Sequence, residues 1–249
     1  MSVIVSEDNV YGRKIIGYND YMYRHSVTIG RMWDEEVIDI LLPHIADDTD
    51  VLDIGANIGL VTLGLLQKAE KQGVRLHHVH CFECDPTTFT LLQSNLRHDS
   101  RVKMYPFAIG DTQQLCQLSN NPYNQGCNYI YHTTDSNGDT TYDYTAIRTP
   151  GADEVTSSTS YLLSVPLDSI LYQFKKRISV IKIDIEGFEL QALRGAVKLI
   201  QMHRPVILVE IWKVNMDAIV TLLNGLGYSN YHKVVNPHYP NEDYIFYPN

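Results

Sequence analysis

The stretch DVLDIGANIG at residues 50–59 constrains the fold more than any other part of the chain. An apolar strand runs into a turn holding Gly55, Asn57 and Gly59, and a helical pattern begins at once. Such a turn uses backbone conformations that glycine tolerates, and it aims a helix N-terminus at whatever approaches. From residue 50 onward, apolar strands alternate with amphipathic helices, the signature of parallel βαβ units.

The expected strands are DVLDIGA, LHHVHCFE, VKMYPFAI, SVIKIDI and PVILVEIW, followed by YHKVV and YIFYP as an antiparallel pair at the sheet edge. Helices are expected from about Gly59 to Lys71, from Pro86 with Phe89, Leu92 and Leu96 buried, and along Leu190, Leu193, Val197 and Ile200 with an interruption at Gly195. A further helix ends near Gly225 and Gly227. Residues 1–45 read as an N-terminal cap with β-like pieces KIIGY and SVTIG and one helix carrying Trp33, Val37, Ile40 and Leu41. Residues 46–249 form the main domain, with a polar insertion at 111–164 that is longer than an ordinary connection. It reads as a substrate-shaping insertion or a lid, and its Tyr123, Tyr129, Tyr131, Tyr142, Tyr144 and Tyr161 suit a polyhydroxylated ligand.

Composition narrows the partners. The net charge is -9, and the only compact basic run is Lys175, Lys176 and Arg177. No basic stripe is available for a nucleic-acid backbone. No run is apolar enough to span a bilayer, and the first residues do not read as a signal peptide. Four cysteines do not make a disulfide framework, so a reducing, cytoplasmic setting is expected.

The turn itself discriminates between cofactors. Counting from Gly55, the second and third glycines of a dinucleotide fingerprint are replaced by Asn57 and Leu60, which fits a pyrophosphate poorly and counts against a nicotinamide enzyme. S-adenosylmethionine offers a carboxylate to backbone N–H groups and positive groups to Asp53. Glu83, at the end of the second strand, stands where an acid accepts both ribose hydroxyls. Ala108 and Ile109, before Gly110 and Asp111, supply a floor for adenine.

These residues resemble the FkbM family of methyltransferases: DIGANIG at 53–59, FECDP at 82–86, AIGD at 108–111 and IKIDIEGFE at 181–189. The pattern continues through Leu193, Arg194, Gly195 and Ala196, then Arg204 and Pro205 before the strand ending in Glu210, then Gly227 and Tyr228. Trp33, Asp34 and Glu36 resemble the family's aromatic and acidic residues ahead of the first strand. Cys84 replaces the usual proline and joins the cofactor-binding set. The resemblance implies a Rossmann-like, seven-stranded α/β fold, mostly parallel, and methyl transfer to an oxygen, commonly a hydroxyl of a sugar or natural product.

Methyl transfer places the acceptor oxygen in line with the donor methyl group and requires loss of a proton. Asp184 and Glu186, at the end of the fourth strand, are the expected catalytic acids, with Asp184 the favoured base. Asp184 and Glu210 also form a candidate site for a divalent cation, Mg or Mn. The alternative for these acids is pairing with Lys182 or Arg204 or capping a helix, the preferred reading for Glu189. The expected acceptor is a small molecule or glycan, with a sugar hydroxyl favoured. A non-sugar metabolite and a catalytically silent cofactor-binding module are the alternatives.

Two patterns read as structural. Cys81 and Cys84 form a CxxC that Cys116 and Cys127 do not complete as a zinc site. His78 and His80 share one face of the second strand, beside His77 but without a carboxylate nearby in sequence, and read as strand residues. Asp168 receives no role.

Overall fold

A computed structural model describes residues 2–28, 30–118, 130–131, 160–235 and 242–249. The chain opens with a hairpin, β1 (Val3–Ser6) and β2 (Ile15–Tyr18), followed by α1 (Tyr21–Thr28) and α2 (Glu35–Leu41). SVTIG therefore does not extend as expected: its first three residues close α1. Asp20 precedes the helix, and its carboxylate accepts the Tyr23 N–H at 2.9 Å as a cap.

The βαβ region follows as β3 (Asp50–Ile54), α3 (Leu60–Lys71), β4 (His78–Phe82), α4 (Pro86–Leu96) and β5 (Val102–Tyr105). The third expected strand is then cut at Pro106, which has no N–H for a ladder. Its remainder, β6 (Ala108–Ile109), leaves for a second sheet with β7 (Gln114–Leu118), β8 (Ile130–Tyr131) and β9 (Ser160–Val165), in the order β6-β9-β7-β8. β7, β8 and most of β9 are the described strands of the polar insertion. Tyr123, Tyr129, Tyr142 and Tyr144 lie outside the described residues, and Tyr161 is exposed.

Next come β10 (Ile178–Ile183), α5 (Glu189–Arg194), α6 (Val197–His203), β11 (Val206–Glu210), α7 (Met216–Gly225), β12 (Asn230–Lys233) and β13 (Asp243–Tyr247). The main sheet has seven strands in the order β12-β13-β11-β10-β3-β4-β5. It is parallel from β11 to β5, while β13 runs antiparallel to both β11 and β12, as the edge pair requires. This is the expected mostly parallel Rossmann-like arrangement.

Strand alternation divides the core between the two faces of the sheet. Val51, Val79, Val180 and Leu208 pack with α3, α4 and the N-terminal elements. Leu52, Ile54, Ile181, Ile183, Ile207 and Val209 pack with α5, α6 and α7. Each fully buried Val, Leu or Ile contributes about 1.5–3 kcal/mol. Among the described residues no helix is long and apolar enough to cross a membrane.

The order of the sheet positions the site. β3 lies beside β10, so chain direction across the sheet changes there, and the crevice outside the C-terminal ends of those strands is where an open α/β sheet takes a ligand.

Candidate active site

The turn after β3 is fitted to its neighbours at backbone level. Gly55 has φ 80°, and a Cβ there would drive into the carbonyl oxygen of Asp184. The Gly55 and Ala56 N–H groups both donate to the Phe82 carbonyl at 2.9 and 3.0 Å. Asn57 takes φ 50°, which Asn tolerates better than most residues, and its side-chain oxygen accepts the Ile58 N–H at 2.8 Å. Gly59 caps α3 at φ 90° without a side-chain acceptor. The first-turn N–H groups are therefore left to a ligand, water or the fold itself.

Glu83 fastens this turn to the end of β4. One carboxylate oxygen accepts the Asn57 N–H at 2.9 Å and the other the Asp85 N–H at 2.8 Å. Burial is the main force raising its pKa, to about 7. Each oxygen keeps a second lone-pair direction for a ligand hydroxyl. Asp85 caps α4, accepting from the Thr87 and Thr88 N–H groups. Beside this junction, Ala108 belongs to an apolar cluster with Cys116, Leu118, Leu162 and Phe188, against which Cys84 and Ile185 pack. Ile109 is buried in the adjoining core.

At the end of β10 the chain reverses through Glu186 at φ 54° and Gly187 at φ 100°. The left-handed conformation at a glutamate is costly and is held from two sides. Glu189 accepts the Gly187 N–H at 2.7 Å, and the Asn215 amide donates to the Gly187 carbonyl at 3.2 Å. The outcome brings Asp184, Glu186 and Glu210 together, each offering a carboxylate oxygen within 4.8 Å of the others. Burial first, and then the charges of Asp184, Glu186 and Asp243, push the Glu210 carboxyl far above the ordinary glutamate range.

Beneath this cluster lies a buried cation. The Lys182 ammonium is 3.1 Å from Asp184 and 3.7 Å from Asp53. Burial opposes its charge, but Asp184, Asp53 and Asp34 outweigh burial and hold it protonated. Asp53 is 0% exposed and accepts the Thr62 hydroxyl at 2.6 Å. Its carboxylate thus sits one layer below the turn, joined to the surface through Lys182 and Asp184.

Residues 53–229 match the family described as the Methyltransferase FkbM domain. The chain belongs to the FkbM methyltransferase family. "Methyltransferase 1" of Beauveria bassiana (strain ARSEF 2860) is 27% identical over 154 residues, covering 60% of this chain and 59% of that protein. The crystal structure of the methyltransferase FkbM from Methylobacillus flagellatus KT shares the fold, with a TM-score of 0.52 at 20% identity, over 81% of this chain and 44% of that one. The chain therefore spans about half the length of these relatives.

Several residues of the FkbM pattern hold the frame. Arg204 donates to the carbonyls of Leu226 and Gly227 and lies over the Tyr228 ring, whose hydroxyl donates to the Pro205 carbonyl at 2.8 Å. Asp168, left without a role by sequence, caps α6 by accepting the Lys198 and Leu199 N–H groups at 2.9 Å each. Glu189 braces the Gly187 turn from within α5, in line with its expected structural part. Sequence reasoning named Lys182 only as a pairing partner and missed Asn215 and Phe188. The alternation of β10, which puts Lys182 on the face of Val180 and Asp184, was the available signal for the first.

Proposed function

We propose that this chain methylates a hydroxyl oxygen of a sugar or glycoconjugate, with S-adenosylmethionine as the donor. The observation that carries the reading is the crowding of Asp184, Glu186 and Glu210 beside the Gly55 turn, at the C-terminal ends of adjacent parallel strands.

The cradle fits the cofactor's chemistry. Gly55 lets the turn pack against the Asp184 carbonyl, and the N–H groups of residues 55–59 are taken up within the fold, so the uncapped N-terminus of α3 is what the turn offers a carboxylate. Glu83 accepts the ribose hydroxyls through its remaining lone pairs. Cys84, Ala108 and Ile109 form the apolar face toward the adenine. S-adenosylmethionine, when bound, supplies an electrophilic methyl group. Asp53 acts from below by fixing Lys182.

Asp184 takes the proton of the acceptor hydroxyl, with Glu186 as its second. Lys182 keeps the Asp184 carboxylate aimed by their 3.1 Å contact. A cluster of carboxyl groups offers mainly acceptor oxygens, which favours an acceptor molecule rich in hydroxyl donors.

A second reading places a divalent cation, Mg or Mn, on Asp184 and Glu210, with Glu186 alongside. It is favoured by the Glu210 Oε2 atom, which is buried without a hydrogen-bond partner. Hard oxygen donors suit such an ion, which would lower the pKa of the acceptor hydroxyl.

The test is labelled methyl transfer across mono- and oligosaccharides, with and without a chelator, alongside cofactor calorimetry. Asp184→Asn is expected to bind the cofactor and to lose about 10²–10⁴-fold in turnover. Unchanged methylation would remove Asp184 from the chemistry. Activity confined to non-sugar hydroxyls would move the acceptor class, and cofactor binding with no acceptor methylated would leave a silent module.

A further inference from the structure

The far end of the same strands carries a second polar cluster that methyl transfer does not use. Asp50 opens β3 and is paired in register with His78 of β4. Its side chain is 0% exposed and faces three imidazoles: His77 Nδ1 at 2.7 Å, His78 Nδ1 at 3.9 Å and His80 Nε2 at 3.3 Å.

His80 is the most confined of the three. It is 2% exposed, with the Phe174 ring edge-on at 5.0 Å and its Nδ1 meeting the Tyr105 hydroxyl at 2.9 Å. Only Nε2 is left to face Asp50. Although Nε2 and Asp50 Oδ2 are within ion-pair reach, they are not aligned for a hydrogen bond, and neither has a hydrogen-bond partner. Two buried polar atoms aimed at one spot without partners are unusual, because leaving such atoms unsatisfied is costly.

The donors match a metal site in type and spacing. The carboxylate of Asp50 and one ring nitrogen each from His78 and His80 all lie within 4.8 Å of one another. Two imidazoles and a carboxylate are a ligand set that zinc-class ions take. The surrounding shell is also of the expected kind. Tyr105 engages the other nitrogen of His80, and His77 engages the Asp50 oxygen that faces away from His80. Partners of this sort orient metal-ligating groups.

We propose that Asp50, His78 and His80 bind a divalent transition cation of the zinc class, which ties the starts of β3 and β4 together. The site is separate from the acid cluster. It lies at the N-terminal ends of the strands, a whole strand length, roughly 15 Å, from the Gly55 turn. Its role is structural: the two strands it joins carry the Gly55 turn and Glu83 at their other ends.

The test uses the full chain after chelation and buffer exchange, titrated with Co²⁺ as a spectroscopic probe and then with Zn²⁺. One saturating equivalent of Co²⁺ with visible absorption is expected, displaced by Zn²⁺. His78→Ala, which spares the buried His80, is expected to abolish that binding and the rise in thermal midpoint that Zn²⁺ gives the parent protein. Tyr105→Phe is expected to weaken binding about 10–100-fold. Asp184→Asn leaves the Co²⁺ signal in place. Absence of saturable binding, binding that survives His78→Ala, or binding lost in Asp184→Asn would each overturn the site.

Discussion

The two ends of the central strands hold buried acids in opposite electrostatic settings. At the N-terminal end, burial alone would raise the Asp50 carboxyl, but the close imidazoles of His80 and His77 outweigh it and bring the pKa to about 2. At the C-terminal end, burial and neighbouring acids act together on Glu210 and raise its carboxyl far above the ordinary range. Burial is common to both; the neighbours decide the direction. Asp50 is therefore surrounded by imidazoles, whereas Glu210 is surrounded by other acids, with Lys182 paired to Asp184 and Asp53 beneath them.

The largest effect is expected at Lys182, the cation paired with Asp53 and Asp184 at the C-terminal end. Lys182→Met leaves Asp53 buried without its counter-charge and frees Asp184 from its 3.1 Å partner. Breaking a buried pair from one side typically costs about 3–5 kcal/mol. Urea denaturation should show a loss of that size, partly recovered when Asp53→Asn is added. A loss below about 1 kcal/mol would mean that Lys182 is not what balances this end.

The acid cluster should respond in the opposite sense. Folded Glu210 keeps its proton to higher pH than the ordinary value of 4.5. The folded state then binds more protons than the unfolded one above that value, so stability falls as pH rises through that region. Glu210→Gln is expected to flatten this slope and to stabilise the chain near neutral pH by about 1–2 kcal/mol, while methyl transfer declines. Thermal unfolding against pH, with and without Mg²⁺, checks it. Stabilisation of the parent by Mg²⁺ that the variant lacks would turn the comparison toward the cation reading.

The βαβ order was legible because strand and helix periods differ, and the seven strands of the main sheet stand where DVLDIGA to YIFYP placed them. What escaped was set in some places by a single neighbouring side chain and in others by contacts between distant residues. Ser26–Thr28 of SVTIG fall in a helix that Asp20 caps, and Pro106 sends Ala108 and Ile109 into another sheet. In the site, Gly55, Asn57, Glu83 and the acid trio were visible as strand ends. The setting of Asp53 was not: its residue type suggested a ligand group, whereas its burial makes it a partner of Lys182. The histidines have no carboxylate nearby in sequence, and Asp50, which supplies one, lies 28 residues before His78. Parallel pairing brings such residues side by side, and no local pattern reports it.

Glu83 sharpens the comparison because its pKa is raised mainly by burial, with the charge of Asp85 a lesser cause. Its carboxyl moves from 4.5 to about 7, so folding favours the protonated form within that window. Stability is accordingly lost as pH rises from the lower value to the upper and is level above it. On the proposed ribose contact of Glu83, cofactor binding should run the other way, since two hydroxyls need an acceptor and the ionised carboxylate accepts without donating. Calorimetry from about pH 6 to about pH 8 is expected to show affinity rising by up to about tenfold per unit below the pKa, then levelling. Glu83→Gln should bind more weakly and lose the slope. If the parent binds equally across that range, Glu83 is already ionised in the folded chain, and burial without crowding is too weak to raise an acid at this end of the sheet.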